Sequence, residues 1–196
     1  MKKLIITLFA IASVFITLGQ VKSDTSKHLT FKGVPINGTL TEYVDKMKKS
    51  GFTAKGIQDG VALLEGEFAS YKNCIVLVNT LKKKDLVSNI VVAFPNRKDW
   101  SSLSSNYFNL KELLTEKYGK PSEVVEEFQS FTPDNDGSKM TAVELDHCKY
   151  YTTYETDRGT IQLSIDLDER RNAFVKLAYY DKINYDSVRK QALDDL

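Results

Sequence analysis

Histidine and cysteine are nearly missing from this 196-residue chain, which holds two of each. Neither type recurs at ligand spacing, so the chain offers no set from which a zinc site could be built. The GxSxG, GxxxxGK[ST] and GxGxxG patterns are also absent, which removes the common signatures of an activated serine and of a phosphate cradle. A charge surplus is missing too: 27 Lys and Arg stand against 26 Asp and Glu. Neutralising phosphates needs a basic excess gathered on one face, so no nucleic-acid partner is expected. The longest basic run, Lys82-Lys83-Lys84, is followed by Asp85 and reads as a solvated hairpin tip.

What is present begins with the one long apolar run. Met1-Lys2-Lys3 is basic, 4–18 is almost wholly apolar, and Gly19-Gln20 follows. A charged start, an apolar middle too short to span a bilayer and a small-residue exit predict a secretory signal peptide over 1–19. Thr17 and Gly19 are the small residues at the exit, and Val21-Lys22-Ser23 offers a weaker second one. With no cysteine there, no lipid anchor is expected. The mature chain of roughly 175 residues is then periplasmic or secreted, and long enough to bury a core without staples. No transmembrane segment is expected in it. Export permits a disulfide between Cys74 and Cys148, but spacing alone leaves the pairing open.

After a polar spacer over 20–28, which includes His28, the pattern reads as helix, sheet, helix, sheet. Thr39-Leu40-Thr41-Glu42 matches a capping box, and Leu40, Tyr43, Val44 and Met47 then recur at helical spacing up to Gly51. The period next changes to 2. Strands are expected over 53–58, 61–68, 74–80 and 86–94, with turns at Asp59-Gly60, Tyr71-Lys72-Asn73 and the lysine tip. Connections this short make neighbouring strands antiparallel. Trp100, Leu103, Tyr107, Leu110, Leu114 and Tyr118 mark a second amphipathic helix, capped by Asp99 or a following serine and stopped by Gly119-Lys120-Pro121. Strands follow over 122–131, 140–156, 160–167 and 173–180, with a turn-rich loop at 132–137. In the third of these Ile161, Leu163 and Ile165 alternate with Gln162, Ser164 and Asp166, so one face is buried and the other wet. Asn184 is expected to cap a last short helix over 185–193.

The expected fold is therefore α+β, with two tandem repeats of one helix followed by a four-stranded antiparallel sheet, 29–96 and 97–196. The two sheets would lie side by side or join into one curved surface. This element order resembles the β-lactamase inhibitor protein architecture and, more loosely, PepSY-like periplasmic modules. Phe31-Lys32-Gly33-Val34-Pro35-Ile36-Asn37-Gly38-Thr39-Leu40 and Lys117-Tyr118-Gly119-Lys120-Pro121 are similar to phrases of small exported proteins of unknown function from gut anaerobes. In the inhibitor architecture the open sheet face grips a partner protein. The resemblance implies a binding module and transfers no functional residue.

Chemistry has few places to sit. His147 lies between Asp146 and Cys148, and neighbours in a strand point to opposite faces, which disfavours a Cys-His dyad. Asp134-Asn135-Asp136-Gly137 suggests a calcium loop, but with Gly137 sixth the first and twelfth positions are Thr132 and Val143, so a turn explains the same letters better. Glu65, Glu67, Glu144, Asp166 and Asp168 could in principle supply a glycosidase-like carboxylate pair. Eight of the ten tyrosines follow residue 100, and tyrosine couples large contact area to a polar tip. The expected binding residues are thus Tyr150, Tyr154, Gln162, Lys176 and Tyr180, on the wet face of the second sheet. The function read from the sequence is a non-enzymatic exported module that binds a protein or glycan, without cofactor or metal. A small envelope or secreted hydrolase is the alternative.

Overall fold

The computed structural model describes residues 27–81, 84–129 and 132–194. The expected leader, the spacer as far as residue 26 and the first two lysines of the 82–84 tip lie outside the described residues. A two-stranded ribbon, β1 (Thr30–Phe31) and β2 (Val34–Pro35), precedes helix α1 (Leu40–Lys49). The capping box at its start is formed: Thr39 Oγ1 accepts from Glu42 N at 3.3 Å, and Glu42 Oε2 accepts from Thr39 N at 3.1 Å. Replacing Thr39 by Ala is expected to cost about 1 kcal/mol, read as a lower urea midpoint at unchanged slope.

Strands β3 (Thr53–Gln58), β4 (Val61–Phe68), β5 (Tyr71–Thr80) and β6 (Val87–Ala93) follow. Asp59 and Gly60 form the first hairpin turn with φ of 50° and 77°, the left-handed pair that Asp-Gly adopts readily. The second turn is Ala69-Ser70, with φ of 50° and 67°, and the expected turn residues Tyr71-Lys72-Asn73 belong to β5. Helix α2 (Trp100–Tyr118) opens on Asp99, whose Oδ1 accepts from Ser102 N at 2.8 Å. That bond holds the Asp99 carboxyl below its ordinary pKa.

After β7 (Glu123–Phe128) comes helix α3 (Asp136–Glu144), then β8 (Cys148–Thr156), β9 (Gly159–Leu167), β10 (Ala173–Asp181) and α4 (Lys182–Asp194). The strand expected over 140–156 is therefore part helix. Asn135 caps α3, its Oδ1 accepting from Ser138 N at 2.9 Å, and Met140 and Val143 point into the core. The supposed calcium-loop letters are this cap, and Asp136 accepts from Ser101 N to tie α3 to α2. At α4 the expected cap also moves. Asp181 accepts from Asn184 N at 3.0 Å, while Asn184 turns its amide inward to Ile36 O and Val87 O.

The expectation of two repeats, each a helix with its own four-stranded sheet, is overturned. Eight strands form one antiparallel sheet in the order β3-β4-β5-β6-β10-β9-β8-β7, so the described residues are mostly β, with the small ribbon and four helices among them. The junction is β6 against β10, pairing Ala93 with Lys176 through Asn89 with Tyr180. Two separate sheets would leave an unpaired edge on each of these apolar strands, and pairing satisfies both backbones at once. The core occupies one face. There α1 covers β3 to β5, α2 covers β8 to β10, and α3 packs on α2. Phe31 stacks on Phe68 at 4.9 Å and meets Tyr179 edge-on at 5.4 Å, joining the two ends of the core. The buried Phe31 and Tyr179 rings each contribute about 1.5–3 kcal/mol over their exposed state. Among the described residues no helix is long and apolar enough to cross a membrane.

Both cysteines are free. They stand on β5 and β8, four strand spacings or about 19 Å apart across the sheet, against the roughly 7 Å that a bridge tolerates. Burial pushes the Cys74 thiol up to about 11. Burial, with the Asp146 carboxylate adding, pushes Cys148 up to about 12. Both thiols stay protonated at neutral pH and are poor nucleophiles.

Candidate functional site

Because side chains alternate along a strand, the core face of the sheet fixes what the other face carries. On β10, Val175, Leu177 and Tyr179 are buried beneath the helices, so Phe174, Lys176, Ala178 and Tyr180 face away from them. Strand register extends this into rows. One runs Leu63, Leu77, Val91, Ala178, Gln162, Thr153 and Glu123 across β4, β5, β6, β10, β9, β8 and β7. The row beside it runs Glu65, Ile75, Ala93, Lys176, Ser164, Tyr151 and Val125. On the other side lie Val61, Asn79, Asn89, Tyr180, Thr160 and Glu155. This open face is mainly apolar over β4 to β6, where Glu65, Asn79 and Asn89 interrupt it, and mainly polar over β7 to β9 apart from Val125.

Three of the five expected binding residues share that face. Lys176 is ion-paired with Asp166, Gln162 reaches Thr153 Oγ1 at 3.5 Å, and the Tyr180 ring meets that of Tyr185 of α4. A shallow cleft of about 440 Å³ lies between Tyr151, Gln162, Ser164, Asp166, Lys176 and Glu127. Ser164 Oγ and Asn89 Oδ1, both in rows on the open face, are buried without a hydrogen-bond partner. An orphaned buried oxygen costs about 1–3 kcal/mol.

Tyr150 and Tyr154 are on the opposite side. Tyr154 is 1% exposed under α2, its hydroxyl donating to Lys111 O at 3.0 Å and lying 2.9 Å from Thr115 Oγ1. Tyr150 sits edge-on to Trp100 and Tyr107 at 5.1 and 5.7 Å, and burial raises its pKa. The physical reason is register: Tyr154 lies opposite Ile161, whose side chain is in the core. Tyr151 takes the outward place, and its hydroxyl donates to Glu123 Oε1 at 2.8 Å, which raises its pKa above that of free tyrosine.

Sequence reasoning missed the apolar half of the face, although the signal was present. Val61-Ala62-Leu63-Leu64, Ile75-Val76-Leu77-Val78 and Ile90-Val91-Val92-Ala93 are continuous runs, the pattern of strands apolar on both sides. His28, placed by the sequence in a loose spacer, is instead buried against Asp181, with its Nδ1 2.9 Å from Oδ2. Of the acids weighed as a hydrolytic pair, Glu65 and Glu67 share one strand while the others lie elsewhere or are engaged. Glu144 ends α3, Asp168 is engaged by Asn172 and by the backbone of Arg170, and Glu65 is paired with Lys55 at 2.7 Å. Glu65 and Asp166 stand four strands or about 19 Å apart, against the roughly 5–10 Å of a working pair. Among the described residues no three His, Cys, Asp or Glu side chains gather into a metal-binding group. The arrangement is suited to contact and hydrogen bonding. Compared with family models, curated proteins and solved structures, the chain finds no match.

Proposed function

We propose that the protein is an exported, non-enzymatic module that grips a partner protein across the open face of its sheet. The observation that carries this reading is the row Leu63, Leu77 and Val91, apolar side chains on the face opposite α1 and α2, with Leu63 37% exposed. Contiguous apolar surface rimmed by polar groups is the mark of an interaction site. Dimensions support it: eight strands about 4.8 Å apart and of about 25 Å usable length give a face of roughly 900 Å². A standard protein interface needs about 800 Å² per partner. The polar half supplies Lys176, Gln162 and Tyr151 as a rim. The basic, apolar leader motif supports export.

Leu77→Glu places a charge in the middle of the apolar half without touching the core. Its thermal midpoint is expected to stay within a few degrees of wild type. Capture of the partner from the organism's envelope fraction should fall about tenfold or more, the scale of a central contact. Ile57→Glu, on the helix-bearing side at an exposed edge, serves as the control and should capture normally. Equal capture by Leu77→Glu and wild type would remove the reading.

A further inference from the structure

A second cavity of about 440 Å³ opens where the first turns of α4 pass the ends of β8, β9 and β10. Its two rings are Tyr180, from the sheet, and Tyr185, from the helix, with centroids 6.1 Å apart and planes at 70°. They make a corner with two π surfaces. Around it stand Glu155, Thr160, Lys182 and Asp186. Thr160 Oγ1 already donates to Glu155 Oε2 at 2.9 Å, which fixes that carboxylate at the rim. Among the described residues the Tyr180 and Tyr185 hydroxyls, the Lys182 ammonium and the Asp186 carboxylate have no hydrogen-bond or ion-pair partner. Tyr185 is 53% exposed, although a ring of that size usually finds cover.

The floor is formed where two backbones approach closely. Gly159 lies where β9 starts against the end of β10, at φ 150°, and a Cβ there would fall 2.0 Å from Tyr180 O. The close approach of these two backbones sets where the Tyr180 ring stands.

We infer that this corner is a sugar-binding subsite, taking one pyranose ring of a neutral or N-acetylated glycan. A pyranose presents a face of C–H groups that stacks on an aromatic ring, and an equator of hydroxyls that both donate and accept. The corner supplies both halves: two rings, two carboxylate acceptors and one ammonium donor. A simple cation would be drawn by the rings and the acids, but Lys182 opposes it. A flat aromatic ligand would leave the polar rim unused. The volume lies within the range of small-ligand clefts, about 300–1,000 Å³. The subsite is separate from the apolar row and does not depend on the protein-binding reading.

The test is ligand-observed saturation-transfer NMR on the mature chain with lactose, cellobiose and chitobiose, and with tetramethylammonium as the cationic probe. Transfer to the ring protons of at least one disaccharide is expected, with a Kd of about 1 mM. Tyr185→Ala should weaken it about tenfold. Asp186→Asn should weaken it several-fold, and Leu77→Glu should leave it unchanged. Because Tyr185 is exposed, its loss should not unfold the chain, and an unchanged circular dichroism spectrum would show this. No transfer to any of the three sugars would overturn the inference. So would transfer that survives Tyr185→Ala combined with Tyr180→Ala, or binding of tetramethylammonium alone.

Discussion

Replacing Asp181 by Ala is expected to remove about 3–5 kcal/mol of stability, a large part of the 5–15 kcal/mol typical of a domain. The carboxylate is fully buried at the end of β10 and accepts from three segments at once. Its Oδ1 takes Leu29 N at 2.7 Å, and its Oδ2 takes Asn184 N at 3.0 Å and His28 Nδ1 at 2.9 Å. Truncation leaves these donors buried and unanswered, each at about 1–3 kcal/mol. The start of the described chain, the last strand and α4 all lose their common anchor. Asp181→Asn, which keeps the volume but turns an amide donor toward other donors, should be nearly as harmful. Urea denaturation measures the loss, and hydrogen exchange at the Leu29 amide should accelerate by a comparable factor. A cost below about 1 kcal/mol would mean that water replaces the carboxylate and that the anchor is incidental.

That anchor shows what a sequence hides. Helices α1 and α2 are legible because their evidence is local: the Thr39 and Glu42 box, the Asp99 cap, and apolar residues three and four apart. The Asp59-Gly60 hairpin is legible for the same reason. The contact between His28 and Asp181 spans 153 positions, and the pairing of β6 with β10 joins strands more than eighty residues apart. Neither leaves a local mark, so two repeats with a sheet each were expected and the strands that join them could not be named. Helix α3 was misread because Asn135 at a helix cap uses the same letters as a turn, and a helix this short shows too few periods to outweigh the strand-like run after it. The apolar half of the open face could have been read. Its continuous runs in β4, β5 and β6 speak of strands covered on two sides, and among the described residues α1 and α2 cover one of them.

The placement of Tyr154 could have been read as well, and it leads to the other large effect. Strands β8 and β9 are joined by the two residues Asp157 and Arg158, so Thr156 faces Gly159 and, two steps on, Tyr154 faces Ile161. Once Ile161 is assigned to the core, Tyr154 must follow it. Tyr154→Ala should therefore act as a core truncation and cost about 3–5 kcal/mol, through the cavity left under α2 and the lost anchorage to Lys111 O and Thr115. Tyr154→Phe keeps the ring and removes only the hydroxyl contacts, so about 1–2 kcal/mol is expected. Tyr180→Ala, at a half-buried ring on the open face, should cost under about 1 kcal/mol. Chemical denaturation of the three variants separates these cases. Any loss of partner capture in Tyr154→Ala would track its unfolded fraction and vanish when temperature or osmolyte restores the fold, whereas a loss in Leu77→Glu would persist. If Tyr154→Ala instead proved as stable as Tyr180→Ala, the register of β8 on β9, and with it the assignment of every row on the open face, would have to shift by one residue.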